Sequence, residues 1–217
     1  MPFALVLAGG DPPEGRILDG AKDAEVVIAA DSGVRIARMH GLAIHLVVGD
    51  LDSVSTGDIA WAKAEGADII EVPSNKDFTD LELALERAEE ADVDRIVVVG
   101  IEGGRVDHEL GNWAVLCAER SQLVEILTAG GRVSVLHGAM TNKLELTGSP
   151  GDVVSILARN GEATGVTTTG LRWPLDDASI APSSSLGVSN EIVDGEASVE
   201  VVAGTLLVAR PELPANA

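Results

Sequence analysis

The chain has 217 residues, 46% of them hydrophobic, with 35 acidic against 15 basic side chains and a formal charge of −20. That composition excludes an intrinsically disordered chain, and the charge argues against a nucleic-acid or anionic-membrane surface. A single cysteine, Cys117, rules out an internal disulfide, and with only four histidines a structural zinc site is disfavoured as well.

The chain opens on Met1-Pro2-Phe3, an apolar strand start rather than a basic leader, and its apolar runs are shorter than a membrane span. The expectation is a cytoplasmic protein with no membrane partner. Strand-like runs follow at Phe3–Ala8, Glu25–Ala30, His45–Val48, Asp68–Val72, Arg95–Val99 and Val124–Leu127. Helical patterns lie between them, near Gly33–His40, Thr56–Glu65, Asp80–Glu90 and Val106–Glu119. Strands that alternate with helices predict right-handed crossovers, and so a mostly parallel sheet covered on both faces. Thr79-Asp80-Leu81-Glu82 reads as a capping box at a helix start. The last helix of this part puts Val106, Leu110, Trp113, Ala114 and Cys117 on one stripe, which predicts a core-facing side.

After Ala129-Gly130-Gly131 the pattern changes to short alternating segments: Arg132–Leu136, Asn142–Leu146, Val153–Leu157, Ala163–Thr169, Ala197–Val202 and Thr205–Ala209. Turn residues separate them, among them Asn160-Gly161, and no helical period appears. This reads as an antiparallel β domain, a small sandwich or barrel. The division is therefore residues 1–129 and 130–217, with Pro211–Ala217 expected to fray.

Charge is uneven between the parts. Residues 1–129 carry 25 of the acids and 10 of the bases. Asp31, Asp50, Asp52 and Asp107 each follow a strand, and Asp77 and Asp80 stand at a helix entrance. In an open α/β sheet, ligands bind outside the carboxyl ends of the strands, so a parallel sheet brings these six carboxylates to one edge. Gathered acids repel one another unless a cation neutralises them. All-oxygen ligation suits Mg²⁺, which bridges to phosphates. Lys76 and Arg105 stand among the acids as phosphate partners. Asp31, Asp77 and Asp80 each read equally well as plain helix caps; the combination carries the argument. No Walker A, GxGxxG, HExxH or GxSxG pattern is present. In the second part Trp173, between Gly170 and Pro174, is placed to stack on a flat ring, with core burial as the equal alternative. Ser183–Glu191 reads as a polar loop.

The ordered set of these elements resembles the thiamine pyrophosphokinase family. The residues that carry the likeness are Ala30-Asp31-Ser32-Gly33, Gly49-Asp50-Leu51-Asp52-Ser53, Lys76-Asp77-Phe78-Thr79-Asp80, Gly103-Gly104-Arg105-Val106-Asp107-His108 with Asn112, Gly165–Leu175, and Gly187–Glu191. Ser32 stands where the family has Gly, and Leu51 where it has Phe. The resemblance implies an α/β domain followed by a β-sandwich, in a homodimer whose active sites lie between the α/β domain of one subunit and the β domain of the other. It implies transfer of the β,γ-pyrophosphoryl group of ATP to thiamine, giving thiamine diphosphate and AMP. Asp50, Asp52 and Asp80 would hold Mg²⁺. Asp77 and Arg105 would join them in catalysis. Asp31, Gly33, Ser53, Lys76, Thr79 and Asp107 would serve the nucleotide. Trp173, with Ser189 and Asn190 beside it, would bind thiamine. A pyrophosphokinase for another heterocyclic alcohol, such as a pterin, and an idle nucleotide-binding module are the alternatives.

Overall fold

A computed structural model describes residues 1–11, 18 and 21–211. The segment expected to fray lies outside the described residues beyond Pro211. The chain divides into two compact units. The first is Met1–Val115 with Ile126–Ala129, and the second is Leu116–Glu125 with Gly130–Ala217.

In the first unit, strands β1 (Phe3–Leu7), β2 (Val26–Ala30), β3 (Leu46–Gly49), β4 (Asp68–Glu71) and β5 (Arg95–Val99) alternate with helices α1 (Val34–His40), α2 (Thr56–Ala64), α3 (Asp80–Glu89) and α4 (Val106–Leu116). The strands pair in parallel in the order β4-β3-β2-β1-β5. Both faces of the sheet are apolar because both are covered. Phe3, Leu5, Leu7, Val27, Ala29, Val47, Val97 and Val99 pack with Val34, Ile36 and Ala37 of α1 and Ala62 of α2. The opposite alternation, including Ala4, Val6, Ile28, Val48, Ile96 and Val98, is also buried. Helix α3 packs on β1, β2, β3 and β5, with Leu81, Ala84, Leu85 and Ala88 buried. Three layers result. Thr79 caps α3, accepting from the Glu82 amide at 3.2 Å, so the predicted start signal forms.

One expectation fails. Of the stripe on α4, Val106 is 73% and Leu110 67% exposed, and Leu116 is the helix's buried residue. Cys117 is buried just past the helix end. Periodicity registers an apolar face without telling what covers it.

Strand β6 (Leu123–Thr128) carries the chain between the two groups of residues. The second unit is built from β7 (Gly131–His137), β8 (Lys143–Thr147), β9 (Val153–Thr169), β10 (Ala178–Ile180), β11 (Asn190–Glu191), β12 (Glu196–Glu200) and β13 (Ala203–Pro211). All its pairings are antiparallel. Strand β9 is 17 residues long and belongs to two sheets. Its first half pairs with β13, which pairs with β7; its second half pairs with β12, which pairs with β8. Ile156, Val166, Leu171, Ile180, Ile192, Val199, Leu206 and Val208 fill the core. This is a sandwich whose long strand switches sheets. The sequence pattern splits β9 into two strands at Asn160-Gly161, a hairpin signal. Here the neighbouring ladder belongs to β13, whose register shifts between Ala203↔Thr164 and Thr205↔Arg159. The extra residues are absorbed as a bulge, with Asn160 at φ 60° and its amide donating to the Cys117 carbonyl at 2.9 Å.

Candidate active site

The site grows from the sheet order. Register Ala30↔Val48 sets the ends of β2 and β3 side by side, so Asp31 and Asp50 emerge together. Leu51, at φ 60°, turns the chain sharply between Asp50 and Asp52. Asp50 Oδ1 accepts the Asp52 amide at 3.3 Å, and Asp52 Oδ1 accepts the Ser53 hydroxyl at 2.8 Å. Asp31, Asp50 and Asp52 each offer a carboxylate oxygen, and these lie within 4.8 Å of one another. Asp80, the first residue of α3, stands next to them. A Cβ built on Gly49 would meet Asp31 Cβ at 3.0 Å and Asp80 Oδ1 at 3.1 Å. Lys76 Nζ bridges the acids, 3.0 Å from Asp80 Oδ1 and 3.8 Å from Asp50 Oδ2. The ion pair is close, yet Asp80 Oδ1 accepts no aligned hydrogen bond, and Asp31 Oδ1 is likewise buried without one.

The electrostatics follow from this crowding. Burial raises the Asp31 carboxyl; the Ser32 amide offsets part of that, and Asp80, Asp50 and Asp52 push it up further. For Asp50, desolvation acts upward, but the Asp52 amide, Lys76 and Ser74 outweigh it and leave the group below its ordinary value. One lysine does not balance four acids. The donor set is hard oxygen, it is overcharged, and it holds two unsatisfied buried oxygens, so the residues fit a divalent cation. A raised folded-state pKa means that stability is lost as pH rises through it. Asp31→Asn is therefore expected to raise the melting temperature at neutral pH in chelator, with the gain shrinking when Mg²⁺ and ATP are added. Thermal melts under both conditions check it, and a lower melting temperature in chelator would contradict the account.

The other residues singled out in the first unit take different places. Asp77 is exposed, and neither it nor Asp107 belongs to the three residues whose carboxylate oxygens lie within 4.8 Å of one another. Arg105 and Asp107 are exposed and engage each other at 2.6 and 3.1 Å. The Arg105 hydrogen bond holds the Asp107 carboxyl at about 2, so the pair keeps both charges at any pH near neutral. Thr79 spends its hydroxyl on the helix cap. Gly33 is buried, and a Cβ there would fall 2.0 Å from the Leu7 carbonyl oxygen, so glycine lets α1 start close against β1. Two residues were not anticipated from the sequence. The Ser74 hydroxyl helps to lower the Asp50 carboxyl, and Arg35 of α1 donates to the Ser53 carbonyl. Both are recognisable only once the strand order puts their segments beside β3.

In the second unit Trp173 is 53% exposed, so the alternative of core burial is excluded. The Arg172 guanidinium lies 5.0 Å from the centre of its ring and pairs with Glu191 at 2.8 Å. Asn190 is 2% exposed, and its side-chain amide bonds to the Trp173 backbone. Ser189 is exposed at φ 58°, and its amide donates to Ser155 Oγ at 3.0 Å. The polar loop thus ends in the short strand β11, paired with β9.

Residues 19–128 match the family model described as thiamin pyrophosphokinase, catalytic domain, and residues 141–206 match thiamin pyrophosphokinase, vitamin B1 binding domain. The chain is 26% identical to a thiamine pyrophosphokinase of Bacillus subtilis, over 94% of this chain and 96% of that protein. It is 28% identical to a thiamine pyrophosphokinase of Oryza sativa subsp. japonica, over 70% of this chain and 60% of the rice protein. The crystal structure of the Bacillus subtilis thiamine pyrophosphokinase superposes with a TM-score of 0.81 at 25% identity, covering 99% and 100% of the two chains. That of Candida albicans thiamin pyrophosphokinase, at 14% identity, shares the fold with a TM-score of 0.79. With both family models matched in chain order, the first on the α/β unit and the second on the strand-built one, the chain belongs to the thiamin pyrophosphokinases.

Proposed function

We propose that the chain transfers the β,γ-pyrophosphoryl group of ATP to the hydroxyl of thiamine, releasing AMP. The convergence of Asp31, Asp50 and Asp52, with Asp80 reached through Lys76, carries this reading. Such a set is what a triphosphate tail needs, because four acids repel it unless a divalent cation stands between. Asp50 and Asp52, with Asp31 and Asp80 beside them, would hold Mg²⁺. Bound there, Mg²⁺ supplies the positive charge that neutralises phosphate oxygens and carboxylates together.

The chemistry asks for alignment more than covalent help. The thiamine hydroxyl oxygen forms a bond to the β-phosphorus. The bond from that phosphorus to the α,β-bridging oxygen breaks, and AMP leaves with the oxygen. The hydroxyl proton passes to a carboxylate. Asp77, exposed one residue after Lys76, is free to take it, whereas Asp80 is engaged by Lys76. Lys76 and Arg105 supply cationic partners for the phosphates. Trp173 offers an open indole face to the thiamine pyrimidine.

A homodimer belongs to the same reading. The exposed Val106 and Leu110 of α4 offer apolar surface that a second copy would cover. Among the described residues no helix is long and apolar enough to cross a membrane, and the one thiol, Cys117, is free and buried; both suit the cytoplasm. The test is AMP formation by purified protein with ATP, Mg²⁺ and a panel of alcohols. Turnover that needs thiamine is expected. Turnover with a pterin alcohol instead, or none, would overturn the assignment.

A further inference from the structure

We propose that Asn190 is a positioning residue for thiamine, acting by fixing the Trp173 backbone so that the indole presents one open face. The inference rests on Trp173 as the thiamine platform. Trp173 sits where the regular ladder has run out. Leu171 still bridges Ile192, and the Arg172 amide donates to the Glu191 carbonyl at 2.9 Å. Beyond that Pro174 has no N–H to give. The Asn190 side chain takes over the pairing. Its Oδ1 accepts from the Trp173 amide at 3.0 Å and from the Glu191 amide at 2.9 Å, and its Nδ2 donates to the Trp173 carbonyl at 2.7 Å. The amide orientation is forced, since the reverse would set an NH₂ against two N–H groups. With Asn190 only 2% exposed, water does not replace these bonds.

The same segment fixes the ring. Ser189, at φ 58°, turns the chain immediately before Asn190, and Ser155 holds its amide. Glu191 anchors Arg172 over one face of the indole. Neutralised by that carboxylate, Arg172 adds little net charge beside a ligand that is itself cationic. The remaining face suits a flat, electron-poor heterocycle. No ligand contact is needed from Asn190: it acts through Trp173.

The test compares Asn190→Asp, nearly isosteric but acceptor-only, with Asn190→Ala, which buries no charge. Each is expected to raise the thiamine KM about tenfold, the equivalent of roughly one net hydrogen bond passed on to the binding geometry. The ATP KM and the kcat at saturating thiamine should stay near wild type. In a Trp61→Phe/Trp113→Phe background, thiamine should quench Trp173 fluorescence, and either Asn190 variant should shift the titration to higher thiamine. A variant that melts like wild type yet keeps its thiamine KM and quenching curve overturns the inference; should Asn190→Asp fail to fold, Asn190→Ala decides. If thiamine fails to quench Trp173 and Trp173→Ala leaves the thiamine KM unchanged, the platform reading itself has failed. If Trp173→Ala raises the KM and the Asn190 variants do not, the clamp alone has failed.

Discussion

Asp52→Asn is expected to lower kcat by about a hundredfold or more, the scale on which one preorganised charge-stabilising group acts, without loss of folding. The substitution keeps the size of the side chain and an oxygen able to accept the Ser53 hydroxyl, now at 2.8 Å. It removes one negative charge from a site where Asp31, Asp50 and Asp52 place oxygens within 4.8 Å. A neutral amide oxygen is a weaker ligand for a hard dication than a carboxylate. The loss therefore falls on the step that needs charge neutralised at the β-phosphorus. Removing like charge from the exposed Asp52 relieves repulsion, so the melting temperature in chelator should hold or rise. Initial rates of AMP release, with thermal melts of the same preparations, check both halves. Activity within a few-fold of wild type would mean that the acids serve the fold or its solubility instead.

The alternation of strands and helices is legible in sequence because burial of both sheet faces leaves continuous apolar runs such as Val26–Ala30 and Ile96-Val97-Val98-Val99. A single cut after residue 129 is too simple, since Leu116–Glu125 group with the second unit and Ile126–Ala129 with the first. The strand order is not legible. It decides that Asp31 shares the space of Asp50 and Asp52, through Ala30↔Val48. Asp80 stands across Lys76 from Asp50, near the same point but already paired. Asn160-Gly161 misleads for a related reason. A turn dipeptide makes a hairpin only when the flanking strands pair with each other, and here β13 takes the ladder. Asn190 lies in a segment that looks solvated, yet a side-chain amide serves a ligand or a backbone equally well, and only burial separates the two.

Trp173→Ala is expected to raise the thiamine KM by about tenfold or more, since stacking of a base on an aromatic ring is worth roughly 1–3 kcal/mol. The ATP KM should change far less. The argument turns on how Trp173 is held. A ring that is 53% exposed contributes little to the core, so its removal should cost little stability. Its backbone would keep the Asn190 bonds at 3.0 and 2.7 Å, which leaves the loop in place after truncation. Arg172 would lose its aromatic partner but keep Glu191 at 2.8 Å. The variant therefore separates the platform from its scaffold, and steady-state kinetics with each substrate varied at saturation of the other reads the difference. A larger rise in the ATP KM than in the thiamine KM would place the indole on the nucleotide and remove it from the acceptor site.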